Sequence, residues 1–120
     1  MSDRFEPKHA AFTLTPSDAA SKQRPPDNLA TPILNRHDLE VEYYAPRGVD
    51  PQTPHERDEL YVVASGSAGF SSAAGKKSVT SGDLIFVPAG EVHRFEDIGE
   101  GFATWVVFFG PSNRGASGPG

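Results

Sequence analysis

The sequence predicts an all-β domain of short antiparallel strands that form a sandwich or a closed barrel. Runs of β-branched and aromatic residues are short, and turn residues separate them; the chain holds 12 glycines and 11 prolines. The central part of the chain shows no apolar pattern of helical period over ten residues, so no helix of that length is expected there. Eight or more short strands of this kind are typical of sandwiches and barrels.

Residues 1–28 are polar and rich in proline, and they predict an N-terminal arm that is partly extended. Phe12 and Leu14 alternate with polar neighbours, which indicates a short strand over residues 9–15. The pair Thr15-Pro16 predicts one helical turn, with Thr15 as N-cap and Pro16 at the first helical position. The arm is interpreted either as flexible or as packing on a partner subunit.

The barrel is predicted to span residues 29–111. Residues 112–120 are rich in glycine, serine and proline, and this composition predicts a disordered tail. Pro32 restricts the first strand, residues 29–35, to a sheet edge. Residues 38–44 alternate, and we expect three of them to face the core (Leu39, Val41, Tyr43) and two to face water (Glu40, Glu42). The remaining strands are predicted at residues 60–64, 70–72, around Val79, at 84–87 as a buried strand, at 92–95 and at 102–109.

Composition excludes several classes of protein. The chain has no cysteine, so disulfides, thiol nucleophiles and iron–sulfur clusters are excluded. Its 11 basic and 16 acidic residues give a net charge of −5, which argues against nucleic-acid binding. We find no signal peptide and no apolar run near the ~20 residues of a membrane span, so a soluble cytoplasmic protein is expected.

Three residues are the candidates for a metal site: His55, Glu59 and His93. Imidazole nitrogen and carboxylate oxygen are ligands that suit one divalent transition metal, such as Fe, Mn, Ni, Zn or Cu. Two imidazoles and one carboxylate would leave coordination positions open for water or a substrate.

The spacing of residues in two segments resembles that of the cupin family. In the first segment, His55, Glu59 and Gly66 fit the family's first motif, and Thr53 stands where a second histidine is usual. In the second segment, four residues fit the second motif (Gly82, Pro88, Gly90, His93), and Asp97 stands where asparagine is usual. The resemblance implies a small single-domain jelly-roll barrel of the cupin-2 type with three protein ligands rather than four. Homodimers through edge strands are also implied.

The metal hypothesis requires a bend in the chain between His55 and Glu59. Four residues of a straight strand span about 13 Å, whereas metal–ligand bonds are about 2 Å long. The polar residues 56–58 suit a turn or bulge, and residues 61–63 favour a strand directly after it.

Eight further residues are candidates for the surroundings of the site. Gln52 and Asp58 are candidates for an additional ligand or for orienting a ligand. Four aromatic residues are candidates for lining a pocket (Tyr61, Phe86, Phe95, Trp105), although packing in the core is the preferred interpretation for Phe86 and Trp105. Tyr61, Arg57 and Arg94 are candidates for orienting a substrate carboxylate. Thr53→His is expected to raise metal affinity, because the replacement restores the usual histidine.

Two classes of function remain open. The first is a metal-dependent enzyme of the oxygenase, isomerase or decarboxylase type, acting on a small oxygenated molecule; these reactions are implied by the family resemblance. The second is a non-catalytic cupin that binds a small molecule or senses it, with a weak or vestigial metal site. Either class has a small molecule as its partner, and neither requires nucleic acid or a membrane.

Overall fold

The structure, a computed structural model, describes residues 10–111. It contains one short helix, α1 (Pro16–Ser21), and eight strands: β1 (Thr31–Arg36), β2 (Leu39–Tyr44), β3 (Asp58–Ser65), β4 (Ser67–Ser72), β5 (Gly75–Thr80), β6 (Leu84–Val87), β7 (Arg94–Glu96) and β8 (Ala103–Phe109). The strands form a five-stranded sheet in the order β1-β2-β8-β3-β6 and a three-stranded sheet in the order β5-β4-β7. All pairings are antiparallel. The predicted all-β jelly-roll is confirmed.

Helix α1 begins where the sequence predicts. The Thr15 hydroxyl accepts a hydrogen bond from the Asp18 amide at 3.0 Å, and the Asp18 carboxylate accepts one from the Thr15 amide at 3.0 Å. This reciprocal capping box satisfies two helix-end donors. Ala19 is fully buried against Tyr43 and Ala103 of the same chain. The strand predicted over residues 9–15 is wrong for residues 10–15, which form no strand, and His9 lies outside the described residues.

Strand β8 lies at the centre of the larger sheet and pairs with β2 and β3. Its register places Phe108 opposite Glu59 and Val106 opposite Tyr61. The inward side chains of these strands join those of the smaller sheet in the main core, which includes Tyr61, Phe70, Phe95, Phe102 and Val106. Strand β1 is an edge strand, as Pro32 predicts, and its pairing is irregular just after that proline.

The predicted faces of β2 are reversed in the structure. Tyr44 belongs to the main core, whereas Tyr43 packs in a second cluster with Ala19 and Trp105 on the other side of the sheet. Glu42, expected to face water, lines a cavity on the side of the sheet opposite to Tyr43. An alternating pattern defines the two faces of a strand but does not say which face is inward. Here the outer face carries apolar side chains as well, and α1 covers part of it.

Strand β6 is an edge strand, and the prediction that it is buried is wrong for half of its residues. Leu84 is 66% exposed and Phe86 is 55% exposed, whereas Val87 is buried and Ile85 packs against the core. No helix among residues 10–111 is long and apolar enough to cross a membrane.

Gly66 joins β3 to β4 and allows a close approach of two backbone segments. Its φ is +70°, and a Cβ atom there would lie 2.6 Å from Cα of Phe102. Both the left-handed backbone and the contact therefore require glycine.

Gly66→Ala is expected to lower the free energy of unfolding by about 3 kcal/mol, because the side chain adds a backbone clash to the strain of positive φ. Gly48→Ala is the matched control: Gly48 has φ of +74° but nothing lies within 4 Å of its Cβ position. The control is expected to lose only about 1 kcal/mol. Chemical denaturation measures both, and equal losses would contradict the steric part of the argument.

Candidate metal centre

The structure brings together the three predicted metal ligands. His55 lies in the segment before β3, Glu59 is the second residue of β3, and His93 directly precedes β7. One ligand atom from each residue lies within 4.8 Å of the other two. The chain bends at residues 56–57, so that Nε2 of His55 lies 3.8 Å from Oε2 of Glu59. The bend that the metal hypothesis requires is confirmed.

The turn after β6 holds His55 in place. The amide of Gly90 donates a hydrogen bond to the carbonyl of His55 at 2.8 Å, and Gly90 reaches this position with a φ of +86°. The carboxylate of Asp58 accepts a hydrogen bond from the amide of Ala89 in the same turn, at 2.9 Å. Asp58 therefore positions the turn, and its carboxylate is not one of the three clustered ligand groups.

His93 presents a bare nitrogen to the cluster. Its side chain is buried, and Nδ1 lies 2.8 Å from the carbonyl oxygen of Glu91, which can only accept a hydrogen bond. The proton of the neutral ring is thus assigned to Nδ1, and Nε2 keeps its lone pair. This Nε2 lies 3.0 Å from the Tyr61 hydroxyl and 3.2 Å from Oε2 of Glu59.

Glu59 is the clearest sign that the cluster fits a cation. It is 1% exposed, and neither of its carboxylate oxygens has a hydrogen-bond partner among the described residues. Burying a carboxylate without partners is costly. Its Oε2 faces the bare Nε2 of His93, so two lone pairs meet, and a proton or a metal cation between them would satisfy both. The donor set of two imidazoles and one carboxylate fits a divalent transition metal.

The pKa of His93 reflects this arrangement. Burial alone would lower it, because burial disfavours the imidazolium. The Glu59 carboxylate, the Glu91 carbonyl and the Asp50 carboxylate act in the opposite direction and raise the pKa of His93 above its ordinary value. The same negative charges that attract a proton would attract a metal cation.

Gln52 is oriented towards the cluster by a buried carboxylate. Asp50 is 1% exposed and accepts a hydrogen bond from Nε2 of Gln52 at 2.7 Å. This contact turns Oε1 of Gln52 towards the site, where it lies 3.2 Å from Nε2 of His55 and accepts from the Tyr61 hydroxyl at 3.1 Å. Thr53 is exposed, whereas Gln52, the residue before it, is buried beside His55.

Asp50 connects the site to three further groups. It accepts hydrogen bonds from the Tyr44 hydroxyl, from the amide of Gln52 at 3.2 Å and from the amide of Phe95 at 2.8 Å. Burial, together with the Asp50 carboxylate, raises the pKa of Tyr44, so that its hydroxyl stays protonated as a donor. Sequence reasoning missed Asp50, because an aspartate before a proline in a loop has the signature of an ordinary turn residue.

A cavity of about 220 Å³ adjoins the cluster. His55 and Gln52 form one part of its wall, and the rest comes from Glu42, Tyr44, Val106, Phe108 and residues 27–30. The sequence did not predict a wall formed by residues 27–30 or by Glu42.

The four aromatic residues expected to line a pocket lie in two places. Tyr61 and Phe95 are buried in the core beside His93, with ring centroids 4.9 Å apart. Phe86 is exposed on the outer face, and Trp105 packs edge-on against Tyr43 at 5.1 Å. Neither Phe86 nor Trp105 lines the pocket, because their strands turn these side chains away from the interior. Core packing, the preferred interpretation, is confirmed for Trp105 and is wrong for Phe86.

The arginines expected to orient a substrate carboxylate lie away from the cavity. Arg57 forms an ion pair with Glu40 at 2.8 Å and donates to the carbonyls of Gly110, at 3.0 Å, and Asp38. Arg94 is exposed and lines a separate surface depression with Glu91 and Glu96. Neither guanidinium is part of the cavity wall.

Comparison with known proteins gives consistent results. The sequence profile of a family described as "Cupin domain" matches residues 40–109. An uncharacterized protein of Streptomyces coelicolor is 35% identical over 83 residues, which are 68% of this chain and 79% of that protein.

Two solved structures illustrate the structural similarity. A protein of unknown function from Rhizobium leguminosarum aligns with a TM-score of 0.67 at 21% identity, over 84% of this chain and 98% of that one. The DMSP lyase DddQ from Ruegeria pomeroyi aligns with a TM-score of 0.53 at 25% identity, over 61% of this chain and 39% of that one. The present chain thus matches well under half of the lyase.

Asp50→Asn is expected to lower the free energy of unfolding by about 2 kcal/mol. The carboxylate of Asp50 only accepts hydrogen bonds, and the NH2 group of asparagine would face some of the same donors without being able to accept from them. The substitution is also expected to weaken metal binding, since Gln52 loses its fixed orientation. Asp38→Asn, at an exposed position, is the matched control. Denaturation and metal titration measure the two effects, and wild-type values for both in Asp50→Asn would refute the positioning role.

Proposed function

This chain belongs to the cupin family, and from that premise we propose that it binds one divalent transition metal through His55, Glu59 and His93. The observation that carries the proposal is the buried carboxylate of Glu59, whose oxygens lack hydrogen bonds and face the bare Nε2 of His93 at 3.2 Å. Two imidazoles and one carboxylate on one side of an ion suit Fe, Mn, Ni, Zn or Cu and leave positions for a substrate.

We infer that Gln52 is the additional ligand or the nearest group that orients one. Its Oε1 is directed to the cluster by Asp50 and lies 3.2 Å from Nε2 of His55. An amide oxygen is a weaker donor for a transition metal than an imidazole, so this site is expected to bind its metal less tightly than one with three histidines.

The activity that we propose is metal-dependent chemistry of the oxygenase, isomerase or decarboxylase type on a small oxygenated molecule. A bound divalent metal supplies Lewis-acid polarisation of a substrate oxygen. The chain's own residues provide the rest: the cavity beside His55 holds the molecule, and Val106 and Phe108 give it a partly apolar wall. Tyr61 holds Gln52 through its hydroxyl. The similarity in fold to a protein named as a lyase supports an enzymatic role.

The second candidate function is a non-catalytic cupin that binds or senses a small molecule. The exposed position of Thr53, which leaves the site with two imidazoles, favours a weaker metal site and hence this function. Metal-dependent oxygen consumption or turnover in a substrate screen would support the enzyme, and tight metal binding without turnover would support the sensor. The homodimer and the cytoplasmic location stay predictions, and sedimentation equilibrium tests the first.

Metal content tests the ligand assignment directly. Protein purified without a His-tag and reconstituted with Zn²⁺ is expected to hold about one metal per chain, whereas Glu59→Gln and His93→Ala are expected to bind at least tenfold more weakly. His37→Asn is the control, because His37 lies in an exposed turn with φ of +55°, which asparagine tolerates. Circular dichroism checks that each variant is folded. Stoichiometric metal in both site variants would show that the ligands lie elsewhere.

Histidine substitutions at two neighbouring positions, Gln52→His and Thr53→His, test the contribution of Gln52. Gln52→His is expected to raise zinc affinity about tenfold or more, since it places a stronger donor in the buried sector beside His55. Thr53→His is expected to leave the affinity unchanged, because residue 53 is exposed; this revises the expectation from the sequence. Competition with a chromophoric chelator measures both affinities. A gain at position 53 and none at position 52 would contradict the assignment.

A further inference from the structure

Glu42 supplies one of the two carboxylates that line the cavity, and the metal cluster does not use it. Glu42 lies on β2 and lines the cavity together with His55 and Gln52. It is half-buried, and among residues 10–111 its side chain forms no hydrogen bond or ion pair. A carboxylate in a partly buried cavity is less well solvated than one on the open surface, and a ligand that brings a donor would compensate for this.

The charged groups that act on Glu42 are acidic, although one of them, Glu40, is itself paired with Arg57 at 2.8 Å. Asp27 is the other acidic residue of the cavity wall, and Glu40 and Glu59 lie near enough to act on Glu42. Among residues 10–111, no lysine or arginine lines the wall, and His55 is the one lining residue able to carry a positive charge. Burial, and then the repulsion from Glu40 and Glu59, raises the pKa of Glu42. A positive or hydrogen-bond-donating group near Glu42 would reduce this repulsion.

The charge balance with a metal present also favours a positive or hydrogen-bond-donating group near Glu42. A divalent cation beside the single carboxylate of Glu59 leaves one net positive charge, and Glu42 can offset it. A ligand that binds the metal through a neutral donor and extends towards Glu42 would therefore place its far end next to a carboxylate. An anionic group at that far end would be repelled, and an ammonium group or a hydroxyl would be accepted.

We propose that Glu42 selects the ligand: the cavity takes a small molecule whose end opposite the metal is an amine or a hydroxyl group, and it rejects one with a carboxylate there. The inference rests on the proposed metal centre and defines the class of substrate for the same site. It also replaces the expectation that an arginine orients a substrate carboxylate, because Arg57 is held by Glu40 and two carbonyl groups.

Three pyridines that differ only in the group para to the ring nitrogen test this selectivity. 4-(Aminomethyl)pyridine carries an ammonium group at pH 7, 4-(hydroxymethyl)pyridine is neutral, and pyridine-4-carboxylate is an anion. The ring nitrogen can bind a metal, and the para group cannot reach the same ion. Titration of each probe into cobalt-loaded protein, followed by the visible absorption of cobalt, gives three affinities.

Wild-type protein is expected to bind the cation about tenfold or more tightly than the anion, with the neutral probe between them. Glu42→Gln has nearly the same shape without the charge, and it is expected to reduce that ratio to within about threefold of unity. Comparing the ratio in the two proteins cancels the difference in basicity between the rings. Glu100→Gln, at an exposed position in the loop before β8, is the matched control and is expected to keep the wild-type ratio.

The possible failures are distinguishable. If the protein binds no cobalt, the proposed metal centre is overturned and this inference falls with it. If cobalt binds but wild-type protein prefers the anion or binds all three probes equally, the inference alone is overturned. The same conclusion follows if Glu42→Gln binds cobalt and keeps the wild-type preference.

Discussion

The burial of the Glu59 carboxylate opposite a bare imidazole nitrogen is the constraint on which the rest of the site depends. Glu59 is held inward by β3, which lies between β6 and β8 in the larger sheet. Because the strand is paired on both sides, the carboxylate cannot turn towards water without disrupting the ladder. The charge must therefore be satisfied inside, where two imidazoles lie within 4 Å of the carboxylate and no amide of the described residues donates to it.

Hydrogen bonds from the surrounding residues orient the side chains of the site. The Glu91 carbonyl determines which nitrogen of His93 carries the proton, and the Gly90 amide holds the backbone of His55. Asp50 sets the orientation of Gln52 and also binds the backbone of β7 through the amide of Phe95. One carboxylate thus ties the segment before β3 to the smaller sheet. Loss of a single contact in this network is expected to disturb metal binding more than it disturbs the fold.

The sequence was sufficient for the features that depend on local spacing. The capping box of α1 follows from Thr15 and Asp18, and the metal cluster follows from the spacing of His55, Glu59 and His93 together with the family resemblance. The need for a bend between His55 and Glu59 came from bond lengths alone. Each of these inferences involves residues that are close in the chain or held in a motif with turn glycines.

Features that depend on tertiary packing could not be predicted in the same way. The faces of β2 were reversed because both faces of the larger sheet carry apolar side chains, so alternation gives no direction. Phe86 was expected in the core for the same reason, but the edge strand β6 leaves it exposed. Glu42 looked like a solvent-facing glutamate in an alternating strand, and only the course of residues 27–30 over the barrel makes it part of a cavity wall.

X-ray absorption spectroscopy of the zinc-loaded protein tests directly whether His55, Glu59 and His93 bind the metal, because it reports the atoms bound to the ion. Coordination by His55, Glu59 and His93 would give scattering from two imidazole rings together with oxygen donors at about 2.0–2.2 Å. A spectrum with oxygen donors alone, and without imidazole scattering, would contradict it.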